Sequence, residues 1–326
     1  MTNTATGKER KITSSSPTPD RSSQKSDPSI PGTIIGPMRL PFLVLTPVCV
    51  SLGLSTALWQ GYEISLLEGI LVFIGAIAAH ISVNALNEYD DFRTGLDTKT
   101  DKTPFSGGSG ALPHNPKKAV NGLMVGLTAL AVTIFVGGYF LYGRGMILLP
   151  IGIVGVLVIV TYTPLLTKSP LLCLLAPGIG FGPCMVLGTH VALTGEYTAA
   201  AAVTSALSFF LVSNLLLLNQ FPDTEADRTV GRRHIPIVWG KRKATWLYSF
   251  LLLGAFLSIL SGYMTGLLPT TTLLSLVMVI PAGAAVVGVF RYARNTRRLI
   301  PFMGINVLVA LLTPLLTTIG LLLKLP

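Results

Sequence analysis

The sequence predicts an all-α, polytopic membrane protein that crosses the bilayer about nine times. Half of its 326 residues are hydrophobic and only 12% are charged, whereas soluble domains carry about 25% charged residues. Apolar segments of about 20 residues, the length a helix needs to cross the hydrocarbon layer, recur almost to the C-terminus. The basic residues fall almost entirely on one side of the topology that these segments define. An ordinary soluble enzyme and a disordered chain are therefore excluded.

The chain divides into a polar N-terminal tail, residues 1–38, and one transmembrane domain, residues 39–326. Up to about residue 35 the tail is rich in Ser, Thr and Pro and contains no apolar run. This composition is typical of a disordered segment. It differs from a signal peptide because no apolar core directly follows its charges.

Nine apolar segments follow the tail, and each is interpreted as one membrane span. The closest neighbours are separated by turn signals, Gly143-Arg144-Gly145 after the third segment and residues 266–269 after the seventh. The predicted spans lie near residues 40–58, 66–88, 119–141, 146–163, 172–193, 199–220, 245–265, 270–290 and 301–323.

The basic residues give these spans an orientation. Of the 24 Lys and Arg side chains, 22 lie in the tail or in the loops after the even-numbered spans, and only Arg144 and Lys324 lie on the other side. Positive residues are retained in the cytoplasm. We therefore predict a multi-pass protein of the cytoplasmic membrane with its N-terminus inside. The net charge of +10 indicates contact with anionic lipid or an anionic ligand rather than with nucleic acid.

Acidic residues are few, and they are clustered. Eight of the 14 Asp and Glu residues lie within 88–101 and 223–227, each at the cytoplasmic end of an even-numbered span. The first cluster contains Asn87-x-x-x-Asp91 and the second contains Asn219-x-x-x-Asp223. Because residues i and i+4 share one helix face, each helix end is predicted to present a set of oxygen donors.

Two facing sets of carboxylates would repel each other unless a cation lay between them. Mg²⁺ prefers oxygen ligands and commonly binds together with substrate phosphates. The pattern therefore predicts a Mg²⁺-dependent clamp for a diphosphate. The simpler alternative is a pair of solvated acidic loops. Candidates for direct contact with the diphosphate are Asn84, Lys102, Lys168 and Arg232.

Both clusters resemble motifs of a known family. The segment NALNEYDDFRTGLDTKTDKTPFSGGSGAL (84–112) resembles the first aspartate-rich motif of the UbiA superfamily of intramembrane prenyltransferases. The segment NQFPDTEADRTVGRRHIPI (219–237) resembles the second. Two further segments, YTPLL (162–166) and GFGPCMVLGTHVALTG (180–195), are similar to the 1,4-dihydroxy-2-naphthoate polyprenyltransferase branch. The resemblance covers about residues 38–326.

The resemblance implies a bundle of about nine helices around a central cavity with a cytoplasmic cap. Its aspartate motifs would hold Mg²⁺ and the diphosphate of a polyprenyl donor. Asp91 and Asp223 would be catalytic, and Tyr162 would act near the donor's ionising carbon. For Tyr162, an interfacial aromatic residue without a catalytic role is the alternative. The implied metal ligands are Asn87, Asp91, Asp97, Asn219, Asp223 and Asp227.

The implied reaction is prenylation of an aromatic acceptor, 1,4-dihydroxy-2-naphthoate in menaquinone biosynthesis, with loss of the acceptor's carboxylate. Three departures leave the acceptor open: Glu88 replaces the Asp that often follows the motif Asn, Asp90 adds a carboxylate where that branch often has a small or aromatic residue, and residues 107–112 lack an arginine. Other acceptors are 4-hydroxybenzoate, homogentisate or a glycerophosphate lipid, and a non-catalytic isoprenoid-binding protein is a further alternative. A transporter is disfavoured because no acidic residue is predicted near the middle of a span. Neither the donor's chain length nor the oligomeric state follows from the sequence.

Overall fold

The computed structural model describes residues 1–2, 30–96, 103–114 and 116–325, and all regular structure within these ranges is helical. The predicted all-α class is confirmed. The α-helices are α1 (Ile30–Met38), α2 (Leu45–Trp59), α3 (Leu66–Thr94), α4 (Val120–Arg144), α5 (Leu149–Thr161), α6 (Pro170–Ile179), α7 (Gly188–Thr194), α8 (Ala199–Thr229), α9 (Ile235–Val238), α10 (Lys241–Met264), α11 (Val279–Tyr292) and α12 (Thr296–Leu322).

Seven helical segments in the described part of the chain are long and apolar enough to cross a membrane, and each matches one predicted span. They are Leu66–Thr94, Pro116–Arg144, Pro170–Thr194, Ala199–Thr229, Lys241–Met264, Thr270–Tyr292 and Thr296–Leu322. The third of these is continuous because the π-helical stretch Gly180–Leu187 joins α6 to α7.

The other two predicted spans have a different form. The first is a pair of helical segments, Gly32–Phe42 and Leu45–Trp59, which are bent by 52° relative to each other. Within the first segment, Arg39 directly follows α1 with φ 53°, a left-handed conformation that non-glycine residues seldom adopt. The fourth, Met146–Thr161, is a shorter apolar helix; at 1.5 Å per residue it is about 24 Å long, less than the usual hydrocarbon thickness of about 30 Å.

Helix α1 occupies the last nine residues that the sequence analysis assigned to the polar tail. It packs against the bundle: Thr33 is fully buried, and the side-chain amide of Asn121 on α4 donates a hydrogen bond to its hydroxyl at 2.9 Å. Nine residues that include two prolines are too few to stand out in a hydropathy pattern.

The two motif helices, α3 and α8, both begin at a side-chain cap. Ser65 caps the start of α3 by accepting a hydrogen bond from the Glu68 amide, and Gly95 ends the helix in the left-handed conformation. Thr198 caps α8 in the same way, through the Ala201 amide. Both N-x-x-x-D patterns therefore lie within continuous helices, as the sequence predicts.

Two glycines allow the segment Pro170–Thr194 to lie against the backbone of α8. A Cβ added at Gly178 would lie 2.2 Å from Ser213 Oγ, and one at Gly182 would lie 2.6 Å from the Ser205 carbonyl oxygen. Gly180, between them, has nothing within 4 Å of such a Cβ. Small residues allow this close approach of membrane helices, and here they bring the segment onto the helix that carries the second motif.

We expect Gly182→Ala to destabilise the protein by about 1–3 kcal/mol, the usual range for overpacking. The added methyl group meets a backbone carbonyl, which can move only if the helices separate. Gly180→Ala is the matched control and should leave stability nearly unchanged. Thermal unfolding in detergent measures both; equal unfolding temperatures would contradict the proposed packing constraint.

Candidate active site

A cavity of about 1010 Å³ lies inside the bundle, and both motifs line it. Asn87 and Asp91 of α3 and Asn219 and Asp223 of α8 line one region of its wall. Elsewhere the lining is mostly apolar and includes α4 and α5 residues such as Val136 and Val156. The cavity is therefore suited to a ligand with a long hydrocarbon part and a polar end, and an anionic end would need a cation between it and the carboxylates.

The first motif is held in place by hydrogen bonds from its amides. The Asn87 side-chain nitrogen donates to Thr163 Oγ1 at 3.0 Å, close to the end of α5. The Asn84 side-chain nitrogen donates to the Met38 carbonyl at 3.1 Å, at the end of α1. Asn84 lines the cavity as well, so its amide connects the bent N-terminal helices to the first motif.

The second motif contains oxygen atoms without partners. Asn219 Oδ1 and Asp223 Oδ1 are buried, and neither has a hydrogen-bond partner among the described residues. Buried acceptors of this kind are rare and call for a ligand or an ion. Asp227 differs, because Arg232 donates to its Oδ1 at 2.9 Å and His234 Nε2 lies 3.0 Å from its Oδ2.

Arg232 connects the two motifs. One guanidinium nitrogen pairs with Asp227 on α8, and the other donates to Asp91 on α3. Burial alone would lower the pKa of Arg232, but the carboxylates of Asp91 and Asp227 outweigh that effect and raise it above its ordinary value. The guanidinium therefore stays charged and offsets the repulsion between the two carboxylates.

Tyr162 and two neighbours form a second polar group on the cavity wall. The Tyr162 side chain is close to Cys173, and the Gln220 side-chain nitrogen donates to Cys173 Sγ at 3.2 Å. Gln220 Oε1 has no partner among the described residues. Tyr162 is thus next to the second motif.

The predicted site residues do not all meet at the cavity. Asn84, Asn87, Asp91, Tyr162, Asn219, Asp223, Asp227 and Arg232 line it. Lys168 is exposed and is not part of the lining. Asp97 and Lys102 lie outside the described residues.

Sequence reasoning missed three residues at this site. Arg39 lines the cavity but was counted only as a positive residue that helps to set the topology. His234 was not among the predicted site residues, yet it contacts Asp227. Ser106 lines the cavity and is close to the Asp223 side chain. His234 and Ser106 each had a local signal, a position within one of the two motif segments, whereas Arg39 had none.

The residues present fit Mg²⁺ bound together with a diphosphate. In the described part of the chain, no three His, Cys, Asp or Glu side chains form a group that could hold a metal by itself. Mg²⁺ usually needs only one or two carboxylates when substrate phosphates supply other ligands. The buried, unpaired oxygens of Asn219 and Asp223 are the hard donors that this ion prefers.

Comparison with known proteins identifies the family. Residues 44–318 match the model of the UbiA prenyltransferase family. A curated relative, 1,4-dihydroxy-2-naphthoate octaprenyltransferase of Bacillus subtilis, is 28% identical over 225 residues, which is 68% of this chain and 71% of the relative.

Three solved structures have the same fold at low sequence identity. A UbiA homologue from Aeropyrum pernix has a TM-score of 0.63 at 16% identity and covers 88% of this chain and 99% of its own. A structure from work on digeranylgeranylglyceryl phosphate synthase has a TM-score of 0.60 at 16% identity, covering 89% and 97%. A UbiA homologue from Archaeoglobus fulgidus bound to GPP and Mg²⁺ has a TM-score of 0.53 at 12% identity, covering 88% and 99%. With the family match across most of its length, the chain belongs to the UbiA prenyltransferase family and is a prenyltransferase enzyme.

Proposed function

We propose that this enzyme transfers a polyprenyl group from a polyprenyl diphosphate to 1,4-dihydroxy-2-naphthoate, in a Mg²⁺-dependent step of menaquinone biosynthesis. The observation that carries the proposal is the 1010 Å³ cavity, which combines both aspartate motifs with a largely apolar lining. The name of the Bacillus subtilis relative supports the acceptor. The GPP and Mg²⁺ bound to the Archaeoglobus fulgidus homologue support the donor class and the metal.

Under this proposal all nine apolar segments cross the cytoplasmic membrane, and both motifs face the cytoplasm beneath a cap. The distribution of Lys and Arg supports this orientation, since 22 of the 24 would be cytoplasmic. A diphosphate made in the cytoplasm could then reach the motifs while its hydrocarbon chain stays in lipid. The tail before α1 would remain outside the catalytic domain, whereas α1 packs against it.

The protein's own residues would bind the diphosphate and exclude water. Asn87, Asp91, Asp97, Asn219, Asp223 and Asp227 would hold Mg²⁺. The metal would act as a Lewis acid that stabilises negative charge on the leaving diphosphate. Arg232 would shift from its carboxylate partners towards the phosphate oxygens, a charge-assisted contact that suits a guanidinium. Lys102 and Asn84 are further candidates for diphosphate contact, whereas Lys168 lies outside the lining. Tyr162 would lie near the ionising carbon.

The apolar lining would protect the allylic cation from water until a ring carbon of the acceptor attacks it. The donor's C–O bond breaks, a C–C bond forms, and the ring carbon that is attacked loses its carboxylate as CO₂. The electron pair of the broken bond to the carboxylate returns to the ring, which is then aromatic again without any further proton.

Purified enzyme in detergent or liposomes tests the proposal. It would be incubated with Mg²⁺, prenyl diphosphates of increasing length and four acceptors: 1,4-dihydroxy-2-naphthoate, 4-hydroxybenzoate, homogentisate and glycerol 1-phosphate lipid. Mass spectrometry should detect a prenylated, decarboxylated naphthoate product. EDTA should abolish the product, and excess Mg²⁺ should restore it.

Product formation with another acceptor only would overturn the choice of acceptor. Binding of the diphosphate without its release would indicate a non-catalytic isoprenoid-binding protein.

A further inference from the structure

Glu88 belongs to the first motif by sequence but not by position. It lies between Asn87 and Asp91 on α3, and both of these line the cavity. Successive helix residues are rotated by about 100°, which turns Glu88 to another face. It is 1% exposed and is absent from the described cavity lining. The role of this buried carboxylate is therefore to be found in its contacts with neighbouring protein groups rather than with a metal ion.

The partners of Glu88 lie on a loop and directly after α1. The Ser109 amide donates to both carboxylate oxygens, at 2.8 and 3.1 Å, and the Ser109 hydroxyl donates to Oε1. Arg39 Nε lies 3.9 Å from Oε2, and the same guanidinium donates to the Gly107 carbonyl. A buried carboxylate is costly unless it is paired and hydrogen-bonded, and these contacts satisfy Glu88 within the protein.

The segment that Glu88 holds, residues 103–114, is called the cap loop below. Pro104, Phe105, Ser106, Gly107 and Gly108 of the cap loop line the cavity. The Ser106 side chain is close to Asp223 of the second motif, and its hydroxyl is hydrogen-bonded to Thr103 at 2.8 Å. The cap loop therefore runs from the buried face of α3, across the polar region of the cavity, to the aspartate on α8.

Helix α1 packs against the cap loop. A Cβ added at Gly36 would lie only 2.6 Å from the Ala111 Cβ, so α1 and the cap loop are in close contact. Leu112 is fully buried and lies next to Gly122 of α4. Apolar packing thus holds the end of the cap loop at Leu112. The part of the cap loop near Ser109 is held by hydrogen bonds to Glu88.

We infer that Glu88 is a positioning residue that holds the cap loop closed over the polar region of the cavity. It does not ligate the metal. A closed loop keeps Ser106 beside Asp223 and keeps water from the carbon at which the donor ionises. When the loop opens, water can compete with the acceptor: its oxygen bonds to that carbon, the diphosphate leaves, and the water's proton goes to solvent, which yields a prenyl alcohol.

The first test is independent of catalysis. In Glu88→Gln, the neutral amide replaces a charged acceptor of three hydrogen bonds, so hydrogen exchange at residues 106–110 should rise about tenfold or more. Asp90→Asn is the matched control, because it removes a carboxylate that lies two residues from Glu88. Among the described residues, the Asp90 side chain forms an ion pair only with Arg93, at 3.4 Å. This control variant should leave exchange in the cap loop unchanged. Unchanged exchange in Glu88→Gln would overturn the inference.

The second test rests on the proposed prenyl transfer. We expect Glu88→Gln to raise the ratio of prenyl alcohol to prenylated acceptor several-fold, with little change in the Mg²⁺ concentration that gives half-maximal activity. Glu88→Asp should restore part of the wild-type ratio because it keeps the charge. If Glu88 were a metal ligand, the Mg²⁺ requirement would rise strongly and the ratio would stay constant, which would overturn the inference. If the wild-type enzyme transfers no prenyl group, the proposed function fails, and hydrogen exchange alone decides the role of Glu88.

Discussion

Asp223→Ala is expected to abolish product formation, with a loss of at least about a thousandfold. Asp223 Oδ1 is buried beside the cavity without a partner among the described residues, so this oxygen is available to bind a ligand. A Lewis-acidic metal contributes several kcal/mol to stabilisation of the leaving group, and each 1.4 kcal/mol corresponds to a factor of ten in rate. The measurement is product yield in membranes at saturating Mg²⁺.

Glu225→Ala is the matched control for Asp223→Ala. Glu225 lies two residues further along α8 and is exposed, so its loss removes a carboxylate without changing the cavity. We expect near-normal turnover in this variant. Asp91→Ala should behave like Asp223→Ala, since Asp91 carries the corresponding role on α3. Near-normal turnover in either aspartate variant would disprove the proposed role of the two motifs as a Mg²⁺-dependent clamp for the diphosphate.

Arg232→Ala should destabilise the metal-free protein by about 3–5 kcal/mol, as expected when one partner of a buried ion pair is removed. The Arg232 side chain is 18% exposed and that of Asp227 is 6% exposed, so solvent offers little compensation. Without the guanidinium, the carboxylates of Asp91 and Asp227 face each other with no cation between them. Mg²⁺ should recover part of the lost stability, because it supplies charge at the same place. Thermal unfolding with and without Mg²⁺ measures both effects.

Two further variants separate charge from geometry at this position. Arg232→Lys keeps the charge but lacks the planar fork that lets one side chain bind two carboxylates, so it should recover only part of the stability. Arg233→Ala is the control, because the Arg233 residue is exposed although its backbone amide donates to the Thr167 carbonyl. Loss of stability as large in Arg233→Ala as in Arg232→Ala would show that the ion pairs are not responsible.

Much of the fold follows from local sequence. Seven predicted spans correspond to helices of sufficient length and apolarity, since hydropathy over about 20 residues is a local property. The bend between Phe42 and Leu45 and the short helix Met146–Thr161 could not be predicted, because both depend on packing against neighbours. Likewise, the sequence alone gave no indication that α1 covers the cap loop.

The candidate site was only partly predictable, and the residues show why. The i, i+4 spacing placed Asn87 with Asp91 and Asn219 with Asp223 on common helix faces, and all four line the cavity. Lys168 has the charge expected of a diphosphate ligand, but it is exposed and lies outside the lining. Charge and proximity in sequence do not determine on which side of a loop a flexible side chain lies.

By itself, the sequence determined the membrane class, the helical faces of both motifs and the resemblance to the family, because these depend on short-range spacing and composition. Only the tertiary structure decided which groups meet. Arg232 pairs with Asp91 across 141 residues, and Glu88 turns from the cavity to Ser109 on the cap loop. Such contacts arise from the packing of distant helices, and the periodicity of one segment carries no information about them.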